Sequence, residues 1–249
     1  MSNRRIGLAR VLSKLGYCSR SQAFTLIRAG KVAVNGRVIR QPESPVDERN
    51  DRISVEGKSI VATGKIYLML NKPRGVVTTT SDEKGRDTVY SLLPRGLPWL
   101  APVGRLDKAS EGLLLLTNDS EWAARITAPN SHVPKTYHVQ IGAVADDDLL
   151  RALGSGVQSE DEVLRVKRAS ILRLGGKNSW LQIVLDEGRN RQIRRIFEGL
   201  GVEVLRLVRV AIGPIELGDL AKSQSRELTV AEKDALDALF PPVDTSVRK

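Results

Sequence analysis

Four consecutive leucines, Leu113 to Leu116, bounded by Gly112 and Thr117, follow directly on the charged stretch Val103-Gly-Arg-Leu-Asp-Lys-Ala-Ser-Glu111. A short, uninterrupted apolar run of this kind reads as a buried strand, so the chain must build a sheet whose interior encloses it. Asp107 stands between Arg105 and Lys108 where that strand begins. Positive neighbours favour an ionised, positioned carboxylate over a merely solvated one. Alone, an Asp beside an Arg is more often a structural ion pair, and the motif gains meaning from the segments read with it.

A chain of 249 residues with 41% hydrophobic content can bury a real core, as one large domain or two modest ones. Its formal net charge of +10 attracts polyanions, with nucleic acid or an anionic membrane surface the usual candidates. No apolar run approaches a membrane span, and the N-terminus lacks the hydrophobic core of a secretion signal. The single Cys18 excludes an internal disulfide framework and fits a reducing cytoplasm. Two histidines, His132 and His138, and one cysteine supply too few ligands for a transition-metal centre. No metal is expected, and both histidines read as structural.

Charge is unevenly spread: residues 1–42 hold nine Lys or Arg and no Asp or Glu. Leu8, Val11, Leu12 and Leu15 recur at helical spacing until Gly16. Ser19 or Ser21 caps a second helix with Ala23, Phe24 and Ile27 on one face, closed by Gly30. Val32 and Val34 alternate into Asn35-Gly36, a hairpin signal, and Ile53 with Val55 suits a further strand. Residues 56–65 read as a linker. Beyond it strands are expected over 66–70, 113–117, 137–141, 163–174, 180–185 and 204–212, with helices over 120–127, 146–153 and 190–200. Thr229-Val-Ala-Glu232 is a capping box for a last helix. The fold class is α+β: a small N-terminal α/β unit over 4–60, then a larger mixed or antiparallel sheet domain over 66–240.

Arg4, Arg5, Arg10, Lys14, Arg20, Gln22, Arg28, Lys31 and Arg37 gather on or beside the two short helices and the hairpin. Such a cluster can track phosphates, and each phosphate neutralised makes binding steeply salt-dependent. A solvated basic face is the bland reading, and nine cations without one acid weigh against it. Ser19-Arg-Ser-Gln-Ala23, Ile27 and Gly30-Lys-Val-Ala-Val-Asn-Gly36 resemble the RNA-binding module named for ribosomal protein S-four. That resemblance implies binding to structured RNA through shape and phosphates more than base sequence.

Four segments of the larger unit are similar to the bacterial ribosomal RNA pseudouridine synthases, specifically the A type of the small ribosomal subunit and the B type of the large one. They are Leu70-Asn-Lys-Pro-Arg-Gly75, Val103-Gly-Arg-Leu-Asp107, Lys135-Thr-Tyr137 and Glu187-Gly-Arg-Asn-Arg-Gln-Ile-Arg-Arg195, followed by Leu207-Val-Arg-Val-Ala-Ile-Gly213. The resemblance implies isomerisation of uridine to pseudouridine in ribosomal RNA, or in an assembling ribosomal particle, without a cofactor. By it Asp107 is the catalytic carboxylate, as nucleophile or as base. Arg194 is implied as its ionic partner and Tyr137 as the aromatic that stacks on the target base. Otherwise Arg194 would read as an exposed helix arginine and Tyr137 as a packing residue. Lys72 is a candidate RNA contact, and Arg105 would help extrude the nucleotide, since chemistry on a base in folded RNA needs flipping. Arg191 is expected on phosphate, as are Arg189, Arg195, Arg206 and Arg209. Gly156-Val-Gln-Ser-Glu-Asp161 and Gly188-Arg-Asn-Arg191 resemble the B type, so large-subunit ribosomal RNA is the expected substrate of a cytoplasmic monomer. A non-catalytic ribosome-assembly factor on the same fold is the rival reading. A metal-dependent nuclease would need clustered carboxylates, whereas these motifs pair one acid with arginines.

Overall fold

The computed structural model describes residues 5–79 and 85–240; Arg4, one of the expected RNA contacts, lies outside them. Leu8–Lys14 forms α1 and Arg20–Arg28 forms α2. A reciprocal cap starts α2: Ser19 Oγ accepts from Gln22 N at 3.2 Å, and Gln22 Oε1 accepts from Ser19 N at 3.0 Å. Val32–Val34 (β1) and Arg37–Ile39 (β2) form the hairpin, and Asn35 and Gly36 both take positive φ, 50° and 80°. Those angles match the twist that a two-residue hairpin loop requires. Ile53–Val55 (β3) pairs antiparallel with the other edge of β1. Leu8, Val11, Leu12, Ala23, Ile27, Val32 and Ile53 pack into one core made from this unit alone.

Lys58–Ser59 still pairs with β3, so the connection is shorter than the 56–65 expected. It is pinned at Asn118, whose side chain accepts from Ile66 N at 2.9 Å and donates to Gly64 O at 2.8 Å. Trp99 N donates to Gly16 O at 2.8 Å, which ties the segment before the Asp107 loop to the end of α1.

The large unit is a mixed sheet. Its strands are β4 (Tyr67–Lys72), β5 (Glu111–Thr117), β6 (Lys135–Ile141), β7 (Arg168–Leu174), β8 (Ser179–Leu185), β9 (Val204–Ile212) and β10 (Ser225–Glu227). Their spatial order is β7-β8-β6-β9-β5-β4-β10. Only the β5–β9 pair along this path is parallel, registered Val208 to Glu111 and Arg209 to Gly112. That pair is the seam between a front half and a back half. Helices are α3 (Ser120–Thr127), α4 (Asp147–Ser155), α5 (Gln192–Gly199) and α6 (Val230–Asp237).

The leucine run occupies β5, and alternation divides it between two cores. Leu113 and Leu115 pack with Trp122 and Ile126 of α3 and Leu236 of α6. Leu114 and Leu116 pack with Val89 and Leu100 from the segment between β4 and β5. All four are fully buried, which stabilises by about 1.5–3 kcal/mol per side chain. A third core joins Val139, Leu181, Ile183, Ile196 and Phe197 in the other half, and Tyr137 touches both it and the second.

Two elements differ from the sequence reading. The strand expected over 163–174 is two, Glu162–Leu164 and Arg168–Leu174. Between them Val166 turns into the core and donates its N–H to Leu153 O at 3.3 Å. The helix expected over 190–200 starts at Gln192 because Arg191 is left-handed, φ 49°.

The capping box at α6 carries a charge pair. Arg226 donates both guanidinium nitrogens to Glu232 at 2.6 and 2.7 Å, and Thr229 N adds a third bond at 2.8 Å. Arg226 and then Thr229 pull the Glu232 carboxyl from 4.5 down to about 2. A depressed carboxylate stabilises the fold above its unfolded pKa, and that contribution disappears as pH falls through the folded value. Glu232→Gln should therefore melt below wild type at neutral pH, with the gap closing between pH 4.5 and about 2. Melting temperatures across that range check this; a gap that does not change with pH would refute the assignment.

Candidate active site

Five consecutive backbone carbonyls, from Leu106 to Ser110, each receive a donor. Thr78 Oγ1 reaches Leu106 O at 2.8 Å. Lys72 Nζ reaches Asp107 O at 3.1 Å and Ser110 O at 2.9 Å. Gly75 N reaches Lys108 O at 2.8 Å, and Arg194 Nη2 reaches Ala109 O at 3.1 Å. Lys72, Gly75 and Thr78 come from the end of β4 and the turn after it, whereas Arg194 comes from α5. A loop tied this way has few alternative backbone conformations, and it presents the Asp107 side chain at a fixed place.

Lys72 corrects the sequence reading. It is an expected RNA contact, yet it has no exposed surface. Its ammonium is spent on the carbonyls of Pro73, Asp107 and Ser110. Burial pushes its pKa down to about 8, against the pull of Asp107 and Glu111.

Asp107 opens into a cavity of about 680 Å³ that also takes in Tyr137, Lys135, Arg105, Arg191 and Arg209. This volume suits a small ligand such as a single nucleotide. Five cationic side chains and three carboxylates line it, so its field favours an anionic ligand. The three carboxylates are not equivalent. Glu187 accepts from Arg189 at 2.9 Å and Gln192 at 2.7 Å, and Asp186 lies 3.6 Å from Lys167. Among the described residues Asp107 has only a long ion pair, 3.9 Å to Arg191, and its side chain is 34% exposed. It is the carboxylate left available for chemistry.

The ion pair implied between Asp107 and Arg194 is not formed, because Arg194 spends its donors on Ala109 O at 3.1 Å and Val204 O at 3.4 Å. Its Nε is buried without a partner. Burial lowers the Arg194 pKa, Arg191 adds to this, and Asp107 opposes it, so the two groups feel each other without touching. Arg191, expected on phosphate, takes the ionic position from the turn before α5.

Tyr137 is half-buried on β6, in register with Arg209 of β9. Arg105 is exposed at the rim, after Gly104 with φ 74°. Four arginines expected on phosphate are instead committed to protein. Arg189 pairs with Glu162 and Glu187, and Arg195 with Glu162 at 2.8 Å. Arg206 holds buried Glu111 at 3.1 Å. Arg209 is 5% exposed and donates Nε to Leu113 O at 2.7 Å. Lys135 belongs to the cavity but was not singled out from the sequence; its spacing of two from Tyr137 on a strand was the available signal.

At the other unit Arg5, Arg10, Arg20, Arg28, Lys31 and Arg37 are exposed. Lys31 is paired with Glu56 at 2.8 Å, and Gln22 is exposed but serves as the α2 cap. Lys14 is withdrawn from the expected RNA pole: its ammonium lies 2.7 Å from Glu48 and 3.8 Å from Glu121 of α3.

Comparison with known proteins decides the family. The family model described as RNA pseudouridylate synthase matches residues 66–199, and the S4 domain model matches residues 6–53. The chain belongs to the RNA pseudouridylate synthase family. This pseudouridylate synthase is 38% identical to the ribosomal large subunit pseudouridine synthase B of Bacillus subtilis (strain 168), across 93% of this chain and 96% of that one. It is 36% identical to the protein of the same name from Escherichia coli (strain K12), across 96% of this chain and 85% of that one. The crystal structure of a pseudouridylate synthase, 32% identical, superposes with a TM-score of 0.64 across 93% of this chain and 99% of that one. The synthase is thus an isomerase acting on RNA, with an RNA-binding S4 domain before its mixed-sheet domain. No helix among the described residues is long and apolar enough to cross a membrane.

Proposed function

We propose that this synthase converts a specific uridine of large-subunit ribosomal RNA to pseudouridine, with Asp107 as its reacting carboxylate. Residues 4–60 bind the RNA and residues 66–240 carry out the isomerisation, as a monomer in the cytoplasm. The anchored loop that presents an otherwise uncommitted Asp107 to a cationic cavity is the observation that carries this reading. The names of the Bacillus subtilis and Escherichia coli relatives supply the choice of ribosomal RNA.

Uracil must leave its ribose, turn, and rejoin through carbon five. Asp107 acts on the ribose or the base as nucleophile or proton acceptor, held in place because its loop cannot relax. Arg191 sets the nearest positive charge beside the carboxylate, and Arg194 fixes the loop rather than the carboxylate. Tyr137 forms the aromatic wall on which the flipped base stacks, and Arg105 at the rim steadies the extruded nucleotide. Flipping costs roughly a few kcal/mol, which phosphate contacts elsewhere must supply.

Tritium release from ribosomal RNA labelled at uracil carbon five tests this, with RNA from a strain lacking the gene supplied naked and as assembled ribosomal particles. Release from large-subunit RNA supports the proposal. Release from small-subunit RNA alone would reassign the substrate, and tight binding without release would leave an assembly factor.

Those phosphate contacts are assigned to the exposed cations Arg5, Arg10, Arg20 and Arg37, with Arg28, Lys31 and Gln22 beside them. Replacing the first four by Gln should weaken RNA binding and flatten the plot of log affinity against log salt by about one unit for each cation that touched a phosphate. Lys14→Gln should leave that slope unchanged, because its charge is already paired with Glu48. Filter binding over roughly 50–200 mM salt reads both. An unchanged slope in the quadruple variant would remove these residues from the interface.

A further inference from the structure

Two cations that line the cavity have no ion pair among the described residues. Lys135 stands two residues from Tyr137 on β6, so both side chains lie on the face that lines the cavity. Lys135 is half-buried, and among the described residues its ammonium has neither a hydrogen bond nor an ion pair. On the neighbouring strand β9, Arg209 is in register with Tyr137 and uses Nε on Leu113 O, and one terminal nitrogen is buried with no partner among the described residues. Buried donors of this kind are rarely left unpaired, and charged ones least of all. Burial lowers the Lys135 pKa, Arg209 lowers it further, and Asp186 opposes both. No carboxylate among the described residues touches either cation, so this part of the cavity can still receive negative charge.

The reaction creates such a charge. When the bond between ribose C1′ and N1 breaks, its electron pair stays on the base, and the uracil ring becomes a monoanion with charge shared among N1, O2 and O4. When C5 attaches to C1′, the ring donates a pair to that bond, C5 loses its proton, and N1 gains one. Nothing is added or removed, so the product is an isomer. The walls beside Lys135 include Leu185, Leu207 and Ile212. They suit a flat ring with carbonyl edges better than a phosphate, which exposed Arg105 at the rim serves.

We propose that Lys135, with Arg209 on the adjacent strand, forms the seat that holds the uracil ring as an anion while it is detached from the ribose. Lys135 donates to a ring carbonyl oxygen, and Arg209 is a positioning residue that adds charge from that strand. This rests on the cavity being the active site. Its test therefore carries Asp107→Asn as a separate arm.

Large-subunit ribosomal RNA transcripts are made with uridine or with 5-fluorouridine throughout. Single-turnover rearrangement is read after digestion by chromatography and mass spectrometry. In the fluorinated base C5 has no proton to lose, so once C5 bonds to C1′ water adds at C6 and N1 gains a proton. That product is scored as the hydrated C5-glycoside, one water heavier. Fluorine stabilises the ring anion, so the fluorinated base needs the seat less. Lys135→Met should slow the uridine transcript by about 10²-fold, the usual cost of one charge-stabilising donor, at unchanged RNA affinity. It should slow the fluorinated transcript much less. Lys135→Gln, similar in size but uncharged, should behave alike. Equal slowing of both transcripts, a loss confined to affinity, or a Gln variant at wild-type rate would each overturn the anion seat. Asp107→Asn should be inactive on both transcripts. If it turns over, the reading of the cavity fails, whatever Lys135 does.

Discussion

Asp107→Asn should lose isomerisation by about 10⁴-fold or more and keep its RNA affinity within about twofold. A loss of about 10⁴ is the upper end of what removal of a general acid or base costs, and loss of a nucleophile costs more. The affinity holds because, among the described residues, the side chain accepts no hydrogen bond and makes only a 3.9 Å ion pair with Arg191. The loop holds because its ties are to backbone carbonyls, which the substitution leaves alone. Tritium release beside filter binding separates the two effects. If affinity and turnover fell together, Asp107 would be a structural residue, and the catalytic carboxylate would have to be sought in Asp186 or Glu187.

The second large effect is expected far from any reacting group. Gly112→Ala should destabilise the protein by about 4 kcal/mol, lowering its melting temperature by roughly 8–16 °C. Gly112 has φ 101°, and a Cβ there would lie 2.2 Å from the backbone oxygen of Arg209 and 2.8 Å from its nitrogen. Neither atom can swing away, because both belong to β9 at its parallel seam with β5. The strain of that φ and the overlap add together. Any relief moves β9, and with it Arg209 and the cavity lining, so turnover should also fall in the fraction that stays folded. Gly154→Ala is the control: it lies in α4 with open space around it, and a helical alanine stabilises by up to about 1 kcal/mol. A Gly112→Ala variant that melts with wild type would show the seam to be looser than its geometry implies.

Much of the fold could be read from local pattern. The leucine run is buried on both faces, Asn35-Gly36 turns a hairpin, and the boxes at Ser19–Gln22 and Thr229–Glu232 start helices where their spacing says they should. These signals involve neighbours in sequence, and a periodicity or a cap reports them. The charges are a different matter. Lys14 finds Glu48, Arg189 finds Glu162 and Arg206 finds Glu111 across 34, 27 and 95 residues. No local spacing marks such pairs, so cations that read as phosphate contacts turn out to be spent inside the protein. Lys72 shows the same limit more sharply. A lysine in a charged turn reads as solvated, and only the folded loop reveals three carbonyls converging on its ammonium.

Those converging donors also set a condition on biosynthesis. Asp107, Lys72 and Thr78 leave the ribosome early, but the tie to Ala109 waits for Arg194, 85 residues further along the chain. Until α5 is made, the loop lacks one of its five ties and the cavity lacks Arg191 and Arg209. A product truncated before α5 is therefore expected to lack turnover while keeping its S4 domain. The site is completed late, when α5 and β9 join a loop made long before.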